Sequence, residues 1–396
     1  MAQRAEERKK PGGGILAPEP LRIDAIEVRR LRLELQEPFE TSFGRVASRL
    51  VVLVELKAQE LSGWGEVVAS EEPRFSYETV ETACHVLRQH FAPALLDGPL
   101  TSLRDLTERL LPFRGHPMAR AGLELAFVDL VSRARGEPLS QLLGGVRDRV
   151  PVGVSLGIQP EIASLLDRVE LYLGLGYQRI KLKIKPGWDL DVVERVRRRH
   201  PDIVLSVDAN AAYTLDDRAH LKELDDFGLL MIEQPLDHDD LLDHAELQRE
   251  ISTPICLDES ITGARTARQA IEHGSCRIIN MKVGRVGGYS EALAIHAHCR
   301  DRAVPLWCGG MLESGVGRAH NIALASLPAF ALPGDISASR RYFARDVIVP
   351  EVVVNGDGTV DVPRGPGLGF EIDRDFVAAR TESVERLTRP RRTVAS

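Results

Sequence analysis

Arg179-Ile-Lys-Leu-Lys183, Val204-Leu-Ser-Val-Asp208, Leu230-Met-Ile-Glu233, Ile255-Cys-Leu-Asp258 and Ile278-Ile-Asn-Met-Lys282 decide how this sequence is read. Each is a short apolar run that stops on a charge, and the charges fall 25, 25, 25 and 24 residues apart. Short apolar runs suit buried strands, and the amphipathic stretches between and after them, such as 190–199, 264–272 and 290–300, suit helices. Repeated βα units of nearly fixed period imply a parallel sheet, and this many in series favours a barrel over an open sheet. Each charge then occupies the C-terminal end of its strand, the rim where catalytic groups of such barrels converge.

Working outward, residues 150–157 and 305–308 extend the series to seven strands: 150–157, 179–184, 203–207, 229–232, 254–257, 277–281 and 305–308. Ahead of it, residues 23–35 and 50–57 alternate as strands, with a loop at 37–44 between them that carries Phe39 and Phe43. Gly63-Trp64-Gly65-Glu66 follows, then a second loop at 70–76. The pattern turns helical at 79–92, 103–111 and 119–135, and Gly144-Gly145 closes what reads as an α+β unit. The expected organisation is a disordered tail at 1–20, an α+β capping domain at 21–145, a (β/α) barrel at 146–340, and a segment at 341–396 that returns to the cap and ends in a polar tail.

The identities of the rim charges make the pattern chemical. Asp208, Glu233 and Asp258 on neighbouring strands form an oxygen-rich set of the kind that Mg²⁺ prefers, its octahedral shell completed by water or substrate. Zinc is disfavoured, because no histidine or cysteine joins them. Lys183 and Lys282 flank the carboxylates. An amine beside a divalent cation and a second amine has a lowered pKa and can serve as a general base near neutral pH. Lys181 points to the same side of its strand as Lys183, because side chains alternate. It can touch a substrate carboxylate or act on Lys183 by repulsion. Asn210 and Gln234 are candidates to support the metal ligands from behind. Taken singly, an aspartate at a strand end is more often a cap or turn residue and a lysine is usually solvated. Five such coincidences at one period are not explained that way.

Composition closes off other classes. The chain has 396 residues, 51 Lys plus Arg against 58 Asp plus Glu, and a formal charge of −7, so it has no general affinity for nucleic acid. Five cysteines in no CxxC spacing point to a reducing, cytoplasmic setting rather than a disulfide framework. No apolar run is long enough to cross a membrane, and residues 1–20 lack the apolar core of a secretory signal. Two motifs are decoys. Gly284-Arg-Val-Gly287-Gly288 is a tight βα turn rather than GxGxxG. Gly153-Val-Ser155-Leu-Gly157 matches GxSxG but lies within a strand instead of at a strand-to-helix elbow. Cys308 lacks a histidine partner and reads as a small core residue.

Lys181-Leu-Lys183, Asp208-Ala-Asn210, Ile232-Glu-Gln-Pro235, Leu257-Asp-Glu-Ser260 and Asn280-Met-Lys282 resemble the enolase superfamily, muconate-lactonising subgroup, from about Arg22 to Phe370. Within it, Lys185-Pro-Gly-Trp188, Gly284-Arg-Val-Gly-Gly-Tyr289, Trp307-Cys-Gly-Gly-Met-Leu-Glu313 and Leu332-Pro-Gly-Asp335 resemble the N-succinylamino acid racemase / o-succinylbenzoate synthase family. The resemblance implies an α/β fold, a (β/α)7β modified TIM barrel under an α+β cap. It implies Mg²⁺, with Mn²⁺ or Co²⁺ able to substitute, on Asp208, Glu233 and Asp258. Lys183 and Lys282 match the acid/base pair on opposite substrate faces, and Lys181 and Asn210 match supporting positions. Arg285, three residues after Lys282, is placed to depress that lysine's pKa. Phe39, Phe43, Ser70 and Phe75 on the two cap loops, with Gly310, Met311 and Leu312, match the substrate-binding positions. The implied partner is a small-molecule carboxylate, and the implied assembly is a homo-oligomer.

The implied chemistry is removal of a proton α to a carboxylate through an enediolate, in racemisation of an N-acylamino acid, in dehydration to o-succinylbenzoate, or both. Rival readings remain. A dipeptide epimerase would offer an Asp-x-Asp pair to a free amine, where this sequence has Asp335-Ile-Ser337. A muconate-type cycloisomerase would use the same framework, whereas a mandelate-type dehydratase would carry a histidine base. A metal-binding scaffold barrel has no need of two opposed lysines.

Overall fold

The structure, a computed structural model, describes residues 14–42 and 44–389. Its first unit is built on strands β1 (Leu16–Leu21), β2 (Ala25–Thr41), β3 (Gly44–Ala58) and β4 (Leu61–Val67). β2 and β3 form one long antiparallel hairpin, from Ala25 opposite Lys57 to Thr41 opposite Gly44. β4 extends the sheet on the far side of β3. Helix Pro117–Arg135 lies across it and is buried almost all round, held between this sheet and the barrel helices Val283–Val286 and Tyr289–Asp301. Its first-turn amides at Met118 and Ala119 donate to the buried Glu78 carboxyl, at 2.7 and 2.9 Å, and Gly136 ends it in the left-handed region. The Gly63-Trp64-Gly65 motif has a steric cause here. A Cβ on Gly63 would meet Ala126 O at 2.1 Å, and one on Gly65 would meet Gly122 O at 2.2 Å. Strand and helix backbones touch, which only glycine permits.

The apolar runs become consecutive parallel strands. After β5 (Leu100–Ser102) and β6 (Arg149–Pro151) come β7 (Gly153–Leu156), β8 (Arg179–Lys183), β9 (Val204–Asp208), β10 (Ile232–Glu233), β11 (Ile255–Leu257), β12 (Ile278–Met281) and β13 (Leu306–Cys308). Their order in the sheet is their order in the chain, and helices alternate with them. The eighth position is filled by irregular chain at 330–335. Phe330 bridges Leu306 of β13, and Gly334 bridges Val152 beside β7, both in parallel sense. Gly153 N donates to Gly334 O at 2.7 Å and Asp335 N to Cys308 O at 2.8 Å. The curled sheet thereby closes on itself.

Three expectations need correction. The tail assigned to residues 1–20 is structured where it is described, because β1 pairs antiparallel with β5 and Ile15 is buried. Pro18 and Pro20 disguise the strand, and an edge position tolerates them. The rest of that tail, residues 1–13, lies outside the described residues. The stretch 37–44 is, where it is described, strand of the β2–β3 hairpin rather than a loop, since Phe39 pairs with Val46 and Thr41 with Gly44, after an irregularity between Glu34 and Phe39. Third, the segment at 341–396 does not return wholly to the cap: after the short β14 (Ile348–Val349), β15 (Thr359–Asp361) pairs with β6 rather than with the cap sheet. The chain then forms β16 (Glu371–Ile372) and helix Arg374–Arg380, and β17 (Thr381–Thr388) joins the cap sheet beside β2.

Candidate active site

Strand register sets the first contacts at the barrel rim. Lys183 is opposite Asp208, and Asp208 is opposite Glu233, so three charges from β8, β9 and β10 stand in one row. Lys183 Nζ lies 2.6 Å from Asp208 Oδ2 and 2.5 Å from Asn210 Oδ1. Lys181 Nζ lies 2.7 Å from Glu233 Oε2, 3.2 Å from Asp208 Oδ2 and 2.7 Å from Asp335 Oδ2. On the other arc, Lys282 Nζ lies 2.7 Å from Asp258 Oδ2, and Arg285 holds Asp258 Oδ1 at 3.0 Å. All eight of these sequence-chosen residues are buried. Gln234 supports from behind, its Oε1 accepting from Asp258 N and Ser260 N.

Phe75, on the second cap loop, places its ring 4.8 Å from Lys282 Nζ. The hairpin tip also reaches the rim. Glu40 O, next to Phe39, accepts from Ile158 N at 3.0 Å, and Ser42 Oγ donates to Asn210 O at 3.2 Å. Phe43 lies outside the described residues. Ser70 Oγ accepts from Arg49 Nη1 at 3.2 Å. Gly310, Met311 and Leu312 follow β13 and are half-buried. A Cβ on Gly310 would lie 3.0 Å from Asp335 O, so this turn packs on the closing segment.

Against known proteins, residues 164–376 match the family described as enolase C-terminal domain-like, and residues 25–144 match the mandelate racemase / muconate lactonizing enzyme N-terminal domain. The chain belongs to the enolase superfamily. An o-succinylbenzoate synthase from Geobacillus kaustophilus is 52% identical over 363 residues, 91% of this chain and 96% of the relative. An N-succinylamino acid racemase from Thermus thermophilus is 52% identical over 357 residues, 90% of this chain and 96% of the relative. An enolase-superfamily member of known structure from Listeria innocua superposes with a TM-score of 0.90 at 40% identity, covering 93% of this chain and 99% of that one. The chain is thus an enzyme of this superfamily with the capped barrel of its structural neighbours. No helix among the described residues is long and apolar enough to cross a membrane.

The electrostatics of this enolase-superfamily rim are dominated by burial and by pairing. Burial opposes ionisation of Asp208, yet Lys183, Lys181 and Lys282 outweigh it and hold the carboxyl far below its usual range. Asp258 is lowered in the same way by Lys282 and Arg285. Glu233 goes the other way. Burial and then the charge of Asp208 push it up to about 8. Glu259 is pushed up to about 7 by burial, then by Asp258 and Asp208. Without a divalent cation beside them, Lys282 and Lys181 are held above the ordinary lysine value. For Lys282, burial acts downward, but Asp258, Glu259 and Glu233 outweigh it, together with the smaller downward push of Arg285. Lys181 is likewise held well above the ordinary lysine value: burial acts downward, and Asp335, Glu233 and Asp208 outweigh it.

The donor chemistry fits a hard divalent cation, since three buried carboxylates stand at the C-terminal ends of the neighbouring strands β9, β10 and β11. Among the described residues, the one tight group of metal-type donors is elsewhere, at exposed Asp237, His238 and Asp239, whose ligand atoms lie within 4.8 Å of one another.

Three residues near the site escaped the sequence reading, and a fourth, Asp335, was weighed there only as an amine partner. Asn280 Nδ2 donates to Glu233 Oε1 at 2.7 Å. It lies two residues before Lys282, so strand alternation was its signal. Glu259 accepts from Asn210 Nδ2 at 2.9 Å, which turns the amide oxygen onto Lys183. Asp335 ties Lys181 to Arg179, whose Nη2 lies 2.6 Å from Asp335 Oδ1, and it falls 27 residues after Cys308, one more period of the series. Trp307 lies under both cations, 4.6 Å from Lys181 Nζ and 4.9 Å from the Arg179 guanidinium.

Proposed function

We propose that this enzyme removes the proton α to a substrate carboxylate, acting as an N-succinylamino acid racemase, an o-succinylbenzoate synthase, or both. The observation that carries the reading is the pair Lys183 and Lys282, held on different arcs of the rim by different carboxylates, Asp208 and Asp258. The names of the relatives at 52% identity support the two reactions.

Asp208, Glu233 and Asp258 would hold Mg²⁺, or Mn²⁺ or Co²⁺ in its place. A bound divalent cation would neutralise the negative charge that builds on the substrate carboxylate as the α-proton leaves. It would also draw on the same carboxylates that hold the lysine ammoniums, which brings an amine nearer to the neutral form a base needs. In racemisation, one lysine takes the proton from one face and the other returns a proton to the opposite face. In dehydration, Lys183 is the base for a syn elimination of water, and Lys282 stays a cation beside the enediolate. Lys181, bonded to Asp335 and Glu233, is fixed as a cation that faces the carboxylate end of the substrate. Phe39, Ser70, Phe75, Gly310, Met311 and Leu312 would shape the space around the remainder.

Asp335 is already engaged by Arg179 and Lys181, which counts against a dipeptide epimerase, because a free amine would have to compete for it. All five cysteines are buried free thiols, which supports a cytoplasmic setting. The test is a product assay with Mg²⁺. Loss of optical rotation from N-succinyl amino acids supports the racemase, and formation of o-succinylbenzoate from the succinyl-hydroxycyclohexadiene carboxylate supports the synthase. Failure on both substrate classes removes the reading.

A further inference from the structure

Arg49 is 7% exposed, and no carboxylate oxygen of a described residue lies within 4.0 Å of its guanidinium. Its partners are neutral: Nη1 donates to Ser70 Oγ at 3.2 Å, and Nη2 donates to Val68 O at 3.2 Å and Ala69 O at 3.4 Å. Its Nε is buried without a hydrogen-bond partner. Nearby acids are spent elsewhere. Glu71 forms a fork with Arg32, Glu66 accepts from Ser314 and Gly317, and Glu313 accepts from Asn321. A buried guanidinium without a counter-ion is costly unless something supplies the missing charge.

Arg49 also lines a cavity of about 400 Å³ together with Gly44, Ser70 and Phe75. Phe75 is the shared wall between this cavity and the rim, since its ring packs on the Lys282 amine and also borders the space lined by Asn210 and Arg285. The cavity therefore adjoins, across the Phe75 ring, the rim that carries Lys282.

We propose that Arg49 is a substrate-binding residue that receives a second anionic group, the distal carboxylate of the acyl chain. This deepens the proposed function and rests on it for the identity of the substrate. The unpartnered Nε and the forked Nη atoms suit a planar carboxylate, which a guanidinium binds through two parallel hydrogen bonds. Burial weakens the guanidinium's hold on its proton, against the longer-range pull of Glu66, Glu313 and Glu71, so an incoming carboxylate strengthens the site it fills.

The test is calorimetric binding to the full-length protein in Mg²⁺, with N-succinylglycine and N-butyrylglycine as probes. The second replaces the distal carboxylate by a methyl group. The wild type is expected to bind the succinyl probe about 10-fold more tightly or better, the worth of one charge-assisted pair. Arg49→Gln is expected to lose that preference while keeping its affinity for N-butyrylglycine. Ser70→Asp, at a half-buried position and with its fold checked by circular dichroism, supplies an internal counter-ion and is expected to lose the preference too. A wild type without preference overturns the proposal, as does a preference unchanged in Ser70→Asp or in folded Arg49→Gln. A purely structural Arg49 would weaken both probes equally. Racemisation assayed in the same samples separates the two claims: absent turnover with an Arg49-dependent preference removes the proposed reaction and keeps the anion site.

Discussion

Lys183 and Asp208 are register partners at the ends of adjacent strands, and their side chains meet at 2.6 Å. The base candidate is therefore aimed by the barrel backbone rather than by a mobile loop, as is its counterpart Lys282 beside Asp258. Geometry fixed in this way suits proton transfer, which demands a short, stable approach to carbon.

Lys183→Ala and Lys282→Ala should each lower racemisation by about 10³-fold or more while leaving circular dichroism unchanged. Each variant should still exchange the α-proton of one enantiomer in D₂O, the one served by the surviving lysine. A variant that keeps near-wild-type rates breaks the acid/base assignment.

Chelation should inactivate the enzyme. Treatment with EDTA is expected to abolish turnover, and Mg²⁺ or Mn²⁺ should restore it. Glu233→Gln removes a ligand that resists ionisation as it stands, and it should weaken calorimetric Mg²⁺ binding by at least about 10-fold. Full activity in metal-stripped protein contradicts the assignment of Asp208, Glu233 and Asp258.

Glu66 joins the cap to the barrel by accepting from Ser314 Oγ at 2.6 Å and Gly317 N at 3.0 Å. Burial first, and then Glu313, push its carboxyl up to about 7 from 4.5, against the hydrogen bonds from Ser314 and Gly317. A raised carboxyl favours the protonated native state. Its contribution is complete below pH 4.5 and is lost as pH rises to 7, at a cost of about 3 kcal/mol. The stability difference between wild type and Glu66→Gln should shift against the wild type by that order between pH 4.5 and 7, in urea unfolding, and then level off. A flat difference contradicts the burial argument.

Gly65→Ala should destabilise by about 3 kcal/mol or more, because its Cβ would meet the Gly122 carbonyl inside van der Waals contact. Thermal unfolding measures it. An unchanged midpoint would mean that strand and helix separate at little cost.

Much of this was legible beforehand for a definite reason. Period and charge identity both survive in one dimension, so Lys183, Asp208, Glu233, Asp258 and Lys282 announced seven strands and their rim. What stayed hidden depends on closure. The eighth barrel position is irregular chain at 330–335 without a strand pattern, so the period that sets Asp335 27 residues after Cys308 was a faint sign of its place beside Lys181. Leu16–Leu21 was masked by its prolines, and Arg49 by its place in an ordinary strand. Its lack of a counter-ion is a property of the folded neighbourhood, not of residue order. That the carboxylates beside Lys282 and Lys181 outweigh burial is likewise a property of the folded rim.

The most direct measurement is proton NMR in D₂O with Mg²⁺, following each enantiomer of an N-succinyl amino acid separately. The account expects the α-proton signal to vanish from both enantiomers, with optical rotation falling to zero alongside. An α-proton that persists in both, across the succinyl panel and with the cyclohexadiene carboxylate also unconverted, would contradict two-lysine proton abstraction.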